Sequence, residues 1–270
     1  MKAGLLGKVL GHSKSPEIHE RMMNLLRVDE PFHYDLIEIP EEAIPATLQK
    51  CKDEGYMGLN VTIPYKQKVM PFLTDISWSA RMIGAVNTIH FTPKGMFGYN
   101  TDYDGFGRSL IHAGIPVKNQ AYTVLGTGGA AHAILQYLAD HKAKSLTVVS
   151  RHPDQQDGAR PFLEQVGVNL ISYDALGNHR GDVLVNCTPV GMFPDTHCPV
   201  TEEVIKTYGA VVDLIYNPKD TPLLQLAKAH GVATLNGMYM LVAQAVGSEE
   251  YWLHRSFSSE LIEDKAKEME

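Results

Sequence analysis

Residues 122–138 read YTVLGTGGAAHAILQYL. A short β-branched and apolar run, Thr123, Val124 and Leu125, meets a turn carrying Gly126, Gly128 and Gly129. Ala130, Ile134, Leu135 and Leu138 then recur at the spacing of one helix face. In Gly126-x-Gly128-x-x-Ala131 the small residues let the chain reverse tightly and let helix and strand pack closely. They also let backbone N–H groups approach a pyrophosphate at the helix N-terminus. The same residues suit an ordinary βα turn, and the residues beyond Leu138 decide between the two.

A second strand is predicted over Leu146 to Val149, ending at Ser150-Arg151, and Arg151 lies 25 residues after Gly126. An acidic residue here would hydrogen-bond the ribose hydroxyls of NAD, whereas a cation accommodates the 2′-phosphate of NADP. Arg151 therefore favours NADP; the alternative is a solvated arginine at a strand end.

The chain has 270 residues, enough for two ordinary domains, and a net charge of −7. No block of lysine and arginine could track a phosphate backbone, so nucleic acid is not an expected partner. Cys51, Cys187 and Cys198 lack CxxC spacing, which fits structural thiols in a reduced compartment and argues against a disulfide framework or a zinc cluster. No apolar run nears the roughly 20 residues that span a bilayer, and the N-terminal AGLLGKVLG, interrupted by Lys8, lacks a cleavage-site pattern. A cytoplasmic protein without a membrane partner or a bound metal is expected.

Upstream, strands are predicted over Lys2 to Gly7, Phe32 to Ile39 and Met57 to Ile63, with a helix over Glu41 to Glu54. A further helix starts after Gly11-His12-Ser13-Lys14-Ser15-Pro16, with Ser15 as its cap and Ile18, Met22, Leu25 and Leu26 on one face. This alternation signals an α/β layer. Ser13 and Ser15 could hold a carboxylate, or Ser15 could merely cap. Pro64 is expected to end a strand and start a helical turn carrying Lys66, with Asn87 and Asp102 at the ends of other strands. Asp102 alone reads as a cap for the helix Tyr103 to His112. His19, His112 and His132 read as surface or helix-face residues, without ligand spacing.

Taken together, HSKSP (12–16), NVTIPYK (60–66), AVNT (85–88), NTDYDG (100–105), GTGGAA (126–131), NCTPVGM (186–192), DLIYNP (213–218) and GMYML (237–241) resemble the shikimate dehydrogenase family, in order along nearly the whole chain. The resemblance implies an α/β fold of two domains. Residues 1–103 would form the substrate domain, 104–236 a Rossmann-like NADP domain, and 237–270 C-terminal helices returning to the first domain. It implies reversible reduction of 3-dehydroshikimate to shikimate with NADPH, a step towards chorismate and the aromatic amino acids, by a monomer or homodimer.

By matching positions, Ser13, Ser15 and Tyr216 would bind the substrate carboxylate, and Thr62, Lys66, Asn87, Asp102 and Gln244 the ring hydroxyls and reacting carbonyl, with Lys66 and Asp102 catalytic. Gly126, Thr127, Gly128, Gly129 and Ala130 would cradle the pyrophosphate. Ser150 and Arg151 would take the adenosine end, and Thr188, Leu214 and Gly237 the rest of the cofactor. Three departures stand out: Val9 where the family often has proline, Tyr239 where a smaller residue is common, and Ser150-Arg151-His152-Pro153-Asp154-Gln155 where a second cation is usual. The last opens NAD use as an alternative. A quinate/shikimate dehydrogenase and a catalytically silent nucleotide-binding paralogue are the rival readings.

Overall fold

Two sheets carry the chain, and the glycine-rich turn sits at the middle of the second. The computed structural model describes residues 1–11, 13, 15–25, 31–156 and 158–269; His12, Lys14 and Leu26 of the quoted motifs and helix face lie outside them. The chain divides into two compact units, Met1–Asp104 with Gln244–Lys265, and Gly105–Ala243 with Ala266–Glu270.

In the first unit, β1 (Lys2–Gly7), α1 (Ser15–Leu25), β2 (His33–Glu38), α2 (Ile44–Asp53) and β3 (Gly58–Val61) alternate. They are followed by β4 (Asp75–Ile76), α3 (Trp78–Ile83), β5 (Thr88–Thr92), β6 (Gly95–Tyr99) and α4 (Thr101–His112), which continues into the second unit. The sheet order is β2-β1-β3-β5-β6-β4, parallel among its first three strands and antiparallel at β3–β5 and β5–β6. β1 and β3 are buried along nearly their whole length, reading as continuous apolar runs rather than alternation. Leu6, Leu59, Val61, Ile89, Leu48 and Tyr65 form the core beneath them.

The helix expected over Glu41 to Glu54 begins as a 3-10 turn, Glu41–Ala43, and becomes α2 only at Ile44, with Pro45 in the first turn where it removes no intrahelical bond. Lys66 is not in a helix: residues 63–69 form turns, and the next helical turn is the 3-10 segment Met70–Phe72. Asn87 precedes β5 instead of ending a strand. Likewise α1 opens at Ser15 itself, whose backbone N–H donates to Ser13 Oγ at 3.2 Å.

In the second unit, β7 (Ala121–Leu125), α5 (Gly129–Asp140), β8 (Ser145–Ser150), α6 (Arg160–Val166), β9 (Asn169–Ser172) and α7 (Tyr173–Leu176) form one half. The other half is β10 (Val183–Asn186), α8 (Glu202–Ile205), β11 (Ala210–Asp213), α9 (Pro222–Ala229) and β12 (Ala233–Leu235). All pairings are parallel, in the order β12-β11-β10-β7-β8-β9. That is the doubly wound order, in which the chain reverses direction across the sheet between β7 and β10 and opens a crevice at their carboxyl ends. α10 (Met238–Leu253) begins in this unit and ends in the first; α11 (Ser259–Met269) follows. Among the described residues no helix is long and apolar enough to cross a membrane.

Candidate functional site

The first unit holds a cavity of about 400 Å³ at the carboxyl ends of β1 and β3. Ser13, Ser15, Thr62, Lys66, Asn87, Asp102 and Gln244 line it together with Val9, His19 and Asn60. Seven of the eight residues expected to touch a substrate thus share one cavity; the eighth, Tyr216, follows β11 in the second unit.

Local structure explains why Asp102 is available. Asn100 Oδ1 accepts the Asp102 backbone N–H at 3.2 Å, and Asn87 Oδ1 accepts that of Thr101 at 2.8 Å. These two side chains satisfy the start of α4, so capping falls to them and not to Asp102. The Asp102 carboxylate turns instead to Lys66, Nζ to Oδ2 2.7 Å, with both side chains partly exposed in the cavity. Lys66 is held by the segment leading into β5: its carbonyl accepts from Val86 N at 2.8 Å. A carboxylate at the start of a twelve-residue helix also lies favourably in the helix dipole. At the opposite wall Ser13 Oγ donates to Ser15 Oγ at 3.1 Å beside the N-terminus of α1, where an anion is favoured.

His19 is a correction. It is 2 % exposed, stacked on Tyr34 and bonded to Glu249, because α1 turns that face against the sheet and α10. Asn60 was not among the expected site residues, although it opens the NVTIPYK motif; it is buried in the cavity wall and bonds Tyr34, Thr88 and Ser248.

The second unit has its own cavity, about 600 Å³, in the crevice between β7 and β10. Gly126, Thr127, Gly128, Ser150, Arg151 and Thr188 line it, with His152, Gln156, Tyr173 and Cys187. Gly126 has φ +97°, a conformation open to glycine, and a Cβ there would lie 3.0 Å from Thr188 Cγ2. Gly128 caps α5 without a side chain, and a Cβ on Gly128 or Gly129 would meet nothing within 4 Å. Open space in front of uncapped helix amides, with a guanidinium and a hydroxyl at the far end of β8, is a donor set that fits a nucleotide pyrophosphate and a phosphorylated ribose. Gly129 and Ala130 form the exposed first turn of α5.

Leu214 and Gly237 lie outside the lining and pack on each other: a Cβ at Gly237 would fall 2.0 Å from Leu214 O. Tyr239 is buried and stacks on His112, ring centroids 4.2 Å apart. Gln156, which no sequence motif marked, donates from Nε2 to Ser150 Oγ and to the His152 carbonyl, both at 2.9 Å, and so shapes the turn that carries Arg151. Burial, then Asp213, pushes the Cys187 thiol up, so it is not a nucleophile near neutral pH.

A shikimate dehydrogenase (NADP(+)) of Clostridium perfringens strain 13 is 41 % identical over 267 residues, 97 % of each chain. The chain belongs to the shikimate dehydrogenase family. The substrate binding domain model of shikimate dehydrogenase matches residues 5–89, and the saccharopine dehydrogenase NADP binding domain model matches residues 122–267. A crystal structure of a chorismate mutase/shikimate 5-dehydrogenase fusion protein from Clostridium acetobutylicum superposes with a TM-score of 0.92 at 43 % identity, covering 99 % of this chain and 96 % of that one. A shikimate 5-dehydrogenase from Thermus thermophilus, solved with NADP(H) and shikimate, gives 0.85 at 30 % identity and covers 99 % of both chains. Shikimate dehydrogenase relatives thus match both units, in sequence and in fold.

Proposed function

We propose that this chain catalyses the reversible NADPH-dependent reduction of 3-dehydroshikimate to shikimate, on the route to chorismate and the aromatic amino acids. The observation that carries the reading is the Lys66–Asp102 pair, 2.7 Å apart in a cavity lined by five further polar residues expected for this substrate. In this reading residues 1–103 bind substrate, 104–236 bind NADP, and 237–270 return to the first domain.

When bound, the nicotinamide supplies the hydride. Reduction of a ketone builds negative charge on its oxygen, and a cation or proton donor within about 2.6–3.2 Å must meet it. Lys66 meets that charge; Asp102 orients the ammonium and a ring hydroxyl. Ser13 and Ser15, with Tyr216, hold the carboxylate; Thr62, Asn87 and Gln244 orient the hydroxyls. Gly126 to Ala130 hold the pyrophosphate, Ser150 and Arg151 the 2′-phosphate, and Thr188, Leu214 and Gly237 the remainder of the cofactor.

One observation favours a second reading, NAD as well as NADP. Among the described residues, Arg151 is the single arginine or lysine lining the second cavity. Three unpaired thiols support a cytoplasmic enzyme, active as a monomer or a homodimer. Initial rates with shikimate and quinate, each with NADP+ and NAD+, test the reading. Turnover of shikimate with a strong NADP+ preference is expected; comparable rates with quinate would make it a quinate/shikimate dehydrogenase, and no turnover of either would overturn the enzyme.

A further inference from the structure

At the end of β8 stands a hydroxyl whose role its own hydrogen bonds dictate. Ser150 is buried and lines the second cavity. Its Oγ accepts the His152 backbone N–H at 3.1 Å and Gln156 Nε2 at 2.9 Å. Both partners can only donate. A backbone N–H is a donor, and the Gln156 amide is fixed by its second contact: the His152 carbonyl, which only accepts, lies 2.9 Å from the same atom. That atom is therefore the nitrogen, and its two hydrogens are divided between Ser150 and His152.

A serine oxygen offers two lone pairs and one hydrogen. With both lone pairs taken, Ser150 keeps only its O–H, and among the described residues no group accepts it. That hydrogen is left for whatever occupies the cavity. A phosphate ester, which near neutral pH mainly accepts, suits it, beside the guanidinium of Arg151. The opposite device, a carboxylate that accepts from ribose hydroxyls, is missing: among the described residues no Asp or Glu lines this cavity. Asp154, on the 3-10 turn Pro153–Gln155 between Arg151 and Gln156, stays outside the lining.

We propose that Gln156 is a positioning residue that sets NADP selectivity: by taking the second lone pair of Ser150, it leaves the hydroxyl only a donor's role towards the 2′-phosphate. This rests on the reading of the second cavity as the cofactor site, with Ser150 and Arg151 at that phosphate. Gln156→Met keeps a side chain of similar length and removes both donors. Ser150 is then free to turn a lone pair to the cavity, where it repels a phosphate oxygen.

Equilibrium titration with adenosine 2′,5′-bisphosphate and adenosine 5′-monophosphate isolates the 2′-phosphate by difference, without turnover. The wild-type protein should bind the bisphosphate more tightly. Gln156→Met should weaken the bisphosphate about five- to tenfold and Ser150→Ala roughly tenfold or more, the range for one charge-assisted hydrogen bond. The monophosphate should stay within about twofold of wild type in both variants, which also shows that they are folded. In a Ser150→Ala background, Gln156→Met should weaken the bisphosphate less than about twofold further, because the group it acts through is gone. If Gln156 served only to hold the turn under Arg151, its removal would weaken the bisphosphate equally with and without the Ser150 hydroxyl, and that result overturns the proposal. An unchanged bisphosphate affinity in Gln156→Met overturns it too, as does a monophosphate affinity that falls in step. A wild-type protein that binds both probes equally overturns the placing of the 2′-phosphate at Ser150 and Arg151, and the proposal with it.

Discussion

Asn100 and Asn87 satisfy the helix start that would otherwise occupy Asp102. Because they accept the first amides of α4, the carboxylate is left for Lys66, and the pair stands in the cavity instead of serving the helix. Lys66→Ala should then lower kcat by about 10²- to 10⁴-fold, the range for a lost general acid, with the thermal midpoint little changed; equal turnover would remove Lys66 from the mechanism. Arg151 makes the corresponding claim in the second unit. Arg151→Ala should weaken NADP+ roughly ten- to hundredfold in an equilibrium titration and leave NAD+ nearly unaffected, since only NADP+ carries the phosphate that a charge-assisted bond would hold. His19 shows where residue-level reading stops. A lone histidine in an amphipathic helix reads as a face residue, and its burial depends on Tyr34, Trp252 and Glu249, brought together from 15 to 233 positions away.

At the scale of elements, the strand–glycine–helix stretch formed where its local pattern put it, because backbone freedom at Gly126 and helix periodicity after it are properties of neighbouring residues. The segment after β3 did not follow its local pattern. A proline followed by polar residues reads as a helix start, but Tyr65 is buried in the core and bonds the Ile39 carbonyl at 2.6 Å, and this anchor holds residues 63–69 in turns. α10 illustrates docking: Gln244, Ser248, Glu249 and Trp252 form one helical face, and Trp252 Nε1 donates to Ile89 O at 2.9 Å directly over Gly58. A Cβ on Gly58 would lie 2.1 Å from both of those groups. Gly58→Ala should destabilise the protein by about 1–3 kcal/mol or more, seen as a thermal midpoint lower by several degrees. An unchanged midpoint would mean that α10 does not seat against β3 in solution.

For the molecule as a whole, buried histidines set the response to acid. His90 is buried in β5, and burial first, then His254, lowers its pKa from the ordinary 6.5. In the unfolded chain the same imidazole takes up a proton near 6.5, so below that pH the unfolded state binds more protons and stability falls as pH drops. The contribution is fully present above about 6.5. Comparing thermal midpoints of wild type and His90→Gln from about pH 7.5 to about 5 should show the difference moving in favour of the variant as pH falls; a constant offset would sink the assignment. Asp213 works in the opposite sense: burial raises its carboxyl despite bonds from Thr221, Ile215 and Asn186, so its ionisation lowers stability as pH rises above the ordinary carboxylate range.

The alternation of strands and helices, the glycine turn, seven of the polar residues in the first cavity, and Thr127, Ser150, Arg151 and Thr188 in the second were legible in the sequence alone. They depend on residue type and short spacings, and eight motifs in order left little room for another family. Tertiary structure alone decided the rest: which strands neighbour one another, that Asn100 and not Asp102 caps α4, that Lys66 sits on a turn, and that Glu249 meets His19 across 230 residues. Each of these turns on burial or on a hydrogen bond between distant segments, and no local periodicity encodes either. Asn60 was visible as a letter in a motif, but its bonds to Tyr34, Thr88 and Ser248 in the wall of the substrate cavity exist only once β2, β3, β5 and α10 are packed together.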